Sequence, residues 1–183
     1  MKAKTLVDLY QKLQERQIKI WLDGGWGVDA LMGVQTRPHG DLDLVVEKNN
    51  LEKLILLLRN LGYVEMPRND TRAWNFVLGD KKGNEIDIHV ITIDINGDGI
   101  YGPPENGEVY PAQSLTGTGS ISGIEVRCLT PEYQVHNHTG YKLKEKDYKD
   151  VKNLCDKFNL KPPTTFEKSF RCYLEKKQTK THN

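Results

Sequence analysis

Two short stretches with a strict two-residue period constrain this chain more than any other feature. Residues 41–46 read Asp-Leu-Asp-Leu-Val-Val, and residues 85–90 read Glu-Ile-Asp-Ile-His-Val. In an extended strand, alternate side chains point to opposite faces. Asp41 and Asp43 therefore project together. In the second stretch, Ile86, Ile88 and Val90 share a face that must be covered, while Glu85, Asp87 and His89 share the other. Each strand thus has one face to bury in a core and one left to water or to chemistry.

The rest of the first two-thirds supplies what covers such strands. Leu6, Leu9, Tyr10 and Leu13 fall at helical spacing and predict an amphipathic helix over 4–16. Ile18 to Leu22 reads as a strand, followed by the pair Gly24-Gly25 and a short helix ending near Gly33. A leucine-rich helix is predicted over 49–61, with Gly62 as its stop. Further strands are expected at 63–66, 74–78 and 85–91. The turn Asp80-Lys81-Lys82-Gly83-Asn84 joins the last two as a hairpin. Residues 94–120 are rich in Gly, Pro, Asn and Ser and predict a long loop, with 124–128 as an added edge strand. Beyond Thr130-Pro131, a cap and first-position pair, the pattern turns helical, with helices expected at 145–158 and 164–176. The expectation is an α+β fold: a mixed sheet flanked by helices, then a small C-terminal helical region. The division placed on it is 1–110 for the core and 111–183 for a mostly helical acceptor-side region.

Composition excludes several functions. Among the 183 residues, 26 Lys and Arg meet 25 Asp and Glu, so the net charge is +1. That balance supplies no field for coating a nucleic acid polymer, and a small substrate is the expectation. Cys128, Cys155 and Cys172 are odd in number and widely spaced, which argues against a zinc site or disulfide scaffold. No run approaches the roughly 18 apolar residues of a membrane span. A cytoplasmic protein without membrane partners is expected, and a homodimer stays open.

Two carboxylates two residues apart on a strand repel each other unless a cation neutralises them. Mg²⁺ binds through one or two carboxylates plus substrate phosphates. Asp87, if its strand lies beside the first, completes a three-carboxylate cluster. The alternative for each residue is an ordinary solvated strand face. Gly24 and Gly25, between a strand and a helix start, let backbone amides approach a phosphate; a simple turn is the alternative. Arg37 and His39 directly precede the first aspartate and could hold a triphosphate.

The three segments WLDGGWGVDALMG, TRPHGDLDL and EIDIHVI, in that order, resemble the antibiotic nucleotidyltransferases of the DNA polymerase β superfamily, above all the small lincosamide enzymes and the similar aminoglycoside 2″-nucleotidyltransferases. The likeness is strong over residues 18–95 and continues weakly through 131–154. It implies a polymerase β-like core, Mg²⁺ as one or two ions, and a nucleoside triphosphate, ATP, as co-substrate. It assigns Gly24 and Gly25 to phosphate binding, Arg37 and His39 to the triphosphate, and Asp41 and Asp43 to metal. Asp87 is the third carboxylate, a metal ligand or the base for the acceptor hydroxyl. Asp29, in the GGWxxD segment, is implied as a loop-fixing group. The implied reaction moves a nucleoside monophosphate to a hydroxyl of a small-molecule antibiotic, a lincosamide. Alternatives are an aminoglycoside acceptor, a nucleotidyltransferase unrelated to resistance, or a nucleotide-binding toxin–antitoxin component. Tyr133, His136, His138 and Tyr141 are candidates either for an acceptor cleft or for packing.

Overall fold

The computed structural model describes residues 1–103, 105, 107–138 and 143–171. The chain divides into two compact units, Met1–Thr130 and Pro131–Asn183. Residues 111–130 thus lie with the first unit, not with the helical one.

The first unit is built on one mixed sheet. Helix α1 (Ala3–Glu15) buries Leu6, Leu9, Tyr10 and Leu13, the stripe expected from their spacing. Strand β1 (Ile20–Asp23) is wholly buried and runs into α2 (Gly24–Met32), which stops where Gly33 adopts a left-handed φ of 73°. Strand β2 (Asp41–Glu47) leads to α3 (Lys48–Asn60), which buries Leu54, Leu57 and Leu58. Strands β3 (Val64–Glu65), β4 (Asn75–Gly79) and β5 (Glu85–Ile93) complete the main sheet, in the order β1-β2-β5-β4-β3. The β4–β5 hairpin forms as expected. Its turn is held by Asp80, whose Oδ1 accepts from the amides of Lys82 at 2.8 Å and Asn84 at 2.9 Å.

The pairing that matters for chemistry is β2 with β5. They run parallel at the centre of the sheet, with Asp41 beside Glu85, Asp43 beside Asp87 and Val45 beside His89. Leu42 and Leu44 on one strand and Ile86 and Ile88 on the other are buried on the opposite face. Covering that face in an apolar layer forces the acids of both strands onto one side.

Residues 94–120, predicted as a loop, instead hold ordered structure. Strand β6 (Gly99–Tyr101) extends the sheet beyond β5, and β7 (Val109–Tyr110) pairs with β6. A 3-10 turn over Ala112–Thr116 follows, tied to β1 by the Trp21 indole, which donates to the Leu115 carbonyl at 2.5 Å. Strands β8 (Thr118–Ile121) and β9 (Ile124–Arg127) form a separate hairpin. Its turn places Ser122 and Gly123 at φ of 50° and 80°, the two positive values that a type I′ turn needs.

The second unit contains α4 (Pro131–Asn137), which begins at the predicted proline, and α5 (Glu145–Phe158). Asp147 accepts from the Lys144 amide at 2.6 Å and caps α5. Residues 164–171 are helical; residues 172–176 of the predicted last helix lie outside the described residues. Tyr148 packs against both Phe166 and Phe170, at ring separations of 5.3 and 5.0 Å. None of the described helices is long and apolar enough to cross a membrane.

Candidate active site

The acid-bearing face of β2 and β5 brings Asp43, Asp87 and His89 together, with one ligand atom from each lying within 4.8 Å of the others. Asp41 stands on the same face but is exposed at the start of β2 and falls outside that tight group. It still acts on Asp87 through space. Burial pushes the Asp87 carboxyl above its ordinary range, Asp41 and Asp70 push the same way, and His89 and Arg68 oppose them. Asp87 Oδ1 is buried without a hydrogen-bond partner. His89 Nε2 stands 3.8 Å from that oxygen, beyond hydrogen-bond reach, and a buried carboxylate oxygen near a second carboxylate suits a cation. The donor set of Asp43 and Asp87 suits Mg²⁺, which takes oxygen ligands and needs only one or two carboxylates. The imidazole of His89 suits softer metals better, so the carboxylates carry the fit.

Gly24 and Gly25 open α2 beside this face. Gly24 has a φ of 53°, and a Cβ there would overlap Asp43 Oδ2 and stand 2.8 Å from its Cγ. A Cβ on Gly25 would meet His39 Nδ1, with His39 Cε1 at 2.6 Å and Arg37 Nη2 at 2.7 Å. The pair therefore admits side chains from the segment 37–43 against the helix start. Asp23, buried at the end of β1, accepts from the Gly24 amide at 2.6 Å and caps the helix. The amides of Gly25 and Trp26 complete the first turn.

His39, expected at the triphosphate, is turned inward. Its side chain is 2% exposed and pairs through Nε2 with Asp29 Oδ2, itself 0% exposed. The Trp26 ring lies 4.5 Å from the imidazole. Asp29 Oδ1 also accepts from the Thr36 amide at 2.9 Å and the Thr36 hydroxyl at 2.6 Å. Asp29 thus fastens the segment after α2 at two points, the loop-fixing role implied by the resemblance. Arg37 is half-buried, with Nη2 over Gly25.

Of three further groups near the carboxylates, the strand period placed His89 on their face, and Arg68 and Asp23 escaped the sequence reading. His89 stacks on Tyr101 at 5.6 Å, and its Nδ1 lies 3.4 Å from the Tyr110 hydroxyl. Its signal was present, two residues after Asp87 on the same strand face. Arg68 donates to Glu85 at 2.7 Å and reaches Asp87 electrostatically from the connection between β3 and β4. Asp23 carried only the signal of an aspartate preceding a helix start. In the second unit, Tyr133 and His136 sit on α4 with ring centroids 6.2 Å apart, and His138 follows the helix, its Nδ1 donating to the Gln134 carbonyl at 2.7 Å. Tyr141 lies outside the described residues.

Solved nucleotidyltransferase structures share this α+β fold. A lincosamide antibiotic adenylyltransferase, in a crystal structure with lincomycin bound, is 30% identical and superposes with a TM-score of 0.74, covering 84% of this chain and 96% of that one. ANT(2″)-Ia in complex with adenylyl-2″-tobramycin shares the fold at 20% identity and a TM-score of 0.69, over 85% of this chain and 88% of its own. A lincosamide resistance protein of Staphylococcus haemolyticus is 31% identical over 150 residues, 81% of this chain and 89% of that protein. The family model described as aminoglycoside-2″-adenylyltransferase matches residues 5–154. The chain belongs to that family of antibiotic nucleotidyltransferases and is an enzyme of its kind.

Proposed function

We propose that this enzyme is a cytoplasmic, Mg²⁺-dependent adenylyltransferase that moves AMP from ATP to a hydroxyl of a lincosamide and releases pyrophosphate. The observation that carries the chemistry is the register of Asp43 beside Asp87, with Asp87 Oδ1 buried and without a hydrogen-bond partner. The lincosamide resistance protein that is 31% identical over 81% of this chain supports a lincosamide as acceptor.

Asp41, Asp43 and Asp87 are the residues that would hold Mg²⁺. When bound, the ion supplies positive charge against the triphosphate. Arg37 and the first-turn amides of α2 bind and orient the phosphates. His39 acts behind them, as a positioning group. Asp87 takes the proton from the acceptor hydroxyl. The acceptor oxygen then bonds to the α-phosphorus, and the bond from that phosphorus to the pyrophosphate oxygen breaks.

Purified protein is incubated with Mg²⁺, each nucleoside triphosphate in turn, and lincomycin or tobramycin. Pyrophosphate and the mass of the antibiotic are measured. The expected result is lincomycin carrying one AMP, with ATP as donor, and near-complete loss in Asp41→Asn and Asp43→Asn variants that remain folded. Transfer to tobramycin in preference converts the proposal to an aminoglycoside enzyme. No pyrophosphate with any pair of substrates overturns it.

A further inference from the structure

Tyr101 stands beside the carboxylate cluster, its ring 5.6 Å from that of His89, which lies in the group with Asp43 and Asp87. It closes β6, in register beside Ile91 of β5. Its ring is braced from two sides: His89 stacks on it with planes 23° apart, and Tyr110 meets it at 5.7 Å and 78°. The Tyr110 hydroxyl reaches His89 Nδ1 at 3.4 Å, which steadies the imidazole in turn. This support leaves the Tyr101 hydroxyl free, since no described residue hydrogen-bonds to it. The side chain is half-exposed, so its hydroxyl is open to a partner from outside the chain. Burial pushes its pKa well up, and Asp87 is the foremost of the charges that add to this, ahead of Glu108, Asp23 and Asp70. The phenol therefore stays protonated and offers a donor next to the residue that takes the acceptor proton.

We propose that Tyr101 forms the acceptor subsite, seating a polyhydroxylated sugar ring against its aromatic face and donating from its hydroxyl to a sugar oxygen next to the reacting one. The proposal rests on the transfer reaction above, since it places the acceptor on the Asp87 side. A braced aromatic ring offers the C–H face of a pyranose an apolar surface at little entropic cost. One directed donor fixes which hydroxyl lies against Asp87, which is the positioning that in-line attack needs.

Calorimetry of lincomycin and of tobramycin is compared for wild type, Tyr101→Phe and Tyr101→Leu, alongside KM for nucleotide and for acceptor. Thermal melts confirm the fold. Loss of the hydroxyl in Tyr101→Phe is expected to weaken acceptor binding by about five- to tenfold, the worth of one hydrogen bond, with nucleotide KM changed by less than about twofold. Tyr101→Leu should weaken the acceptor further. If Tyr101→Leu does not fold, the Phe variant, which removes a single oxygen atom, decides. Unchanged acceptor affinity in the Phe variant, an equal loss of nucleotide binding, or failure of both antibiotics to bind wild type overturns the subsite. Binding that depends on Tyr101 without transfer of AMP would sustain the subsite and overturn the transfer reaction alone.

Discussion

Replacing Gly24 with alanine tests how the helix start and the carboxylate strand are joined. The position has a φ of 53°, where a side chain costs about 1–2 kcal/mol. The new methyl also overlaps the Asp43 carboxylate. To restore ordinary contact of 3.4 Å or more, Asp43 Cγ must retreat by roughly 0.6 Å from its 2.8 Å position. Forcing a group into filled space costs about 1–3 kcal/mol, so the variant should lose about 2–5 kcal/mol in all. In a chain of this size each kcal/mol lowers the melting temperature by about 2–4 °C. Displacing the Asp43 carboxylate, a metal ligand in the proposed reaction, should also cost about one to two orders of magnitude in turnover. The decisive assay is a double-mutant cycle in urea with Asp43→Ala, which removes the overlapped oxygens. In that background Gly24→Ala should cost only its backbone share, giving a coupling of about 1–3 kcal/mol. Additivity within about 0.5 kcal/mol would refute the packing account of Gly24.

Asp87→Asn should reduce turnover by about 10²–10⁴, and the wild-type rate should fall at low pH as the carboxylate protonates, a limb the variant lacks. The upward shift of the Asp87 carboxyl has a stability sign: with a folded pKa above the unfolded value of about 3.9, protonated Asp87 favours the fold, and that contribution disappears as pH rises through the folded pKa. The metal-free Asn variant should therefore be more stable than wild type at neutral pH, and the difference should vanish below about pH 4 in denaturant titrations. Asp29→Ala should cost about 3–5 kcal/mol because it strips the partner from a buried pair, whereas His39→Gln, which keeps a donor for Asp29, should cost less than His39→Leu when the two are unfolded side by side.

Much of the sheet was legible because its strands have one buried face. Leu42, Leu44, Ile86 and Ile88 write that face into the sequence with a period of two, and the Asp80 turn marks its own hairpin. The parallel pairing of β2 with β5 carries no such local mark: it joins strands separated by α3, β3 and β4, and only the assembled sheet sets Asp43 opposite Asp87. Strands β6 to β8 were illegible for another reason. They are two to four residues long and held by polar contacts such as Asp98 accepting from the Ala112 amide at 2.6 Å, so no apolar period announces them. His39 reads as a surface residue because it lies between Pro38 and Gly40, and its partner, Asp29, becomes visible only once α2 turns it inward.

The geometry also changes why the glycine pair and the two polar segments belong together. Read locally, Gly24-Gly25 offers amides to a phosphate, Arg37 offers a charge and Asp43 a ligand, as three separate contributions. In the structure Gly25 is the floor under Arg37 and His39, and Gly24 is the space taken by the Asp43 carboxylate. His39 is held by Asp29 from within the same helix. Moving any one of these groups moves the surface on which the next one rests. The start of α2 and the acid-bearing end of β2 are thus one packed unit, and substitutions at Gly25, Asp29 and His39 should couple to one another more strongly than their separate roles would require.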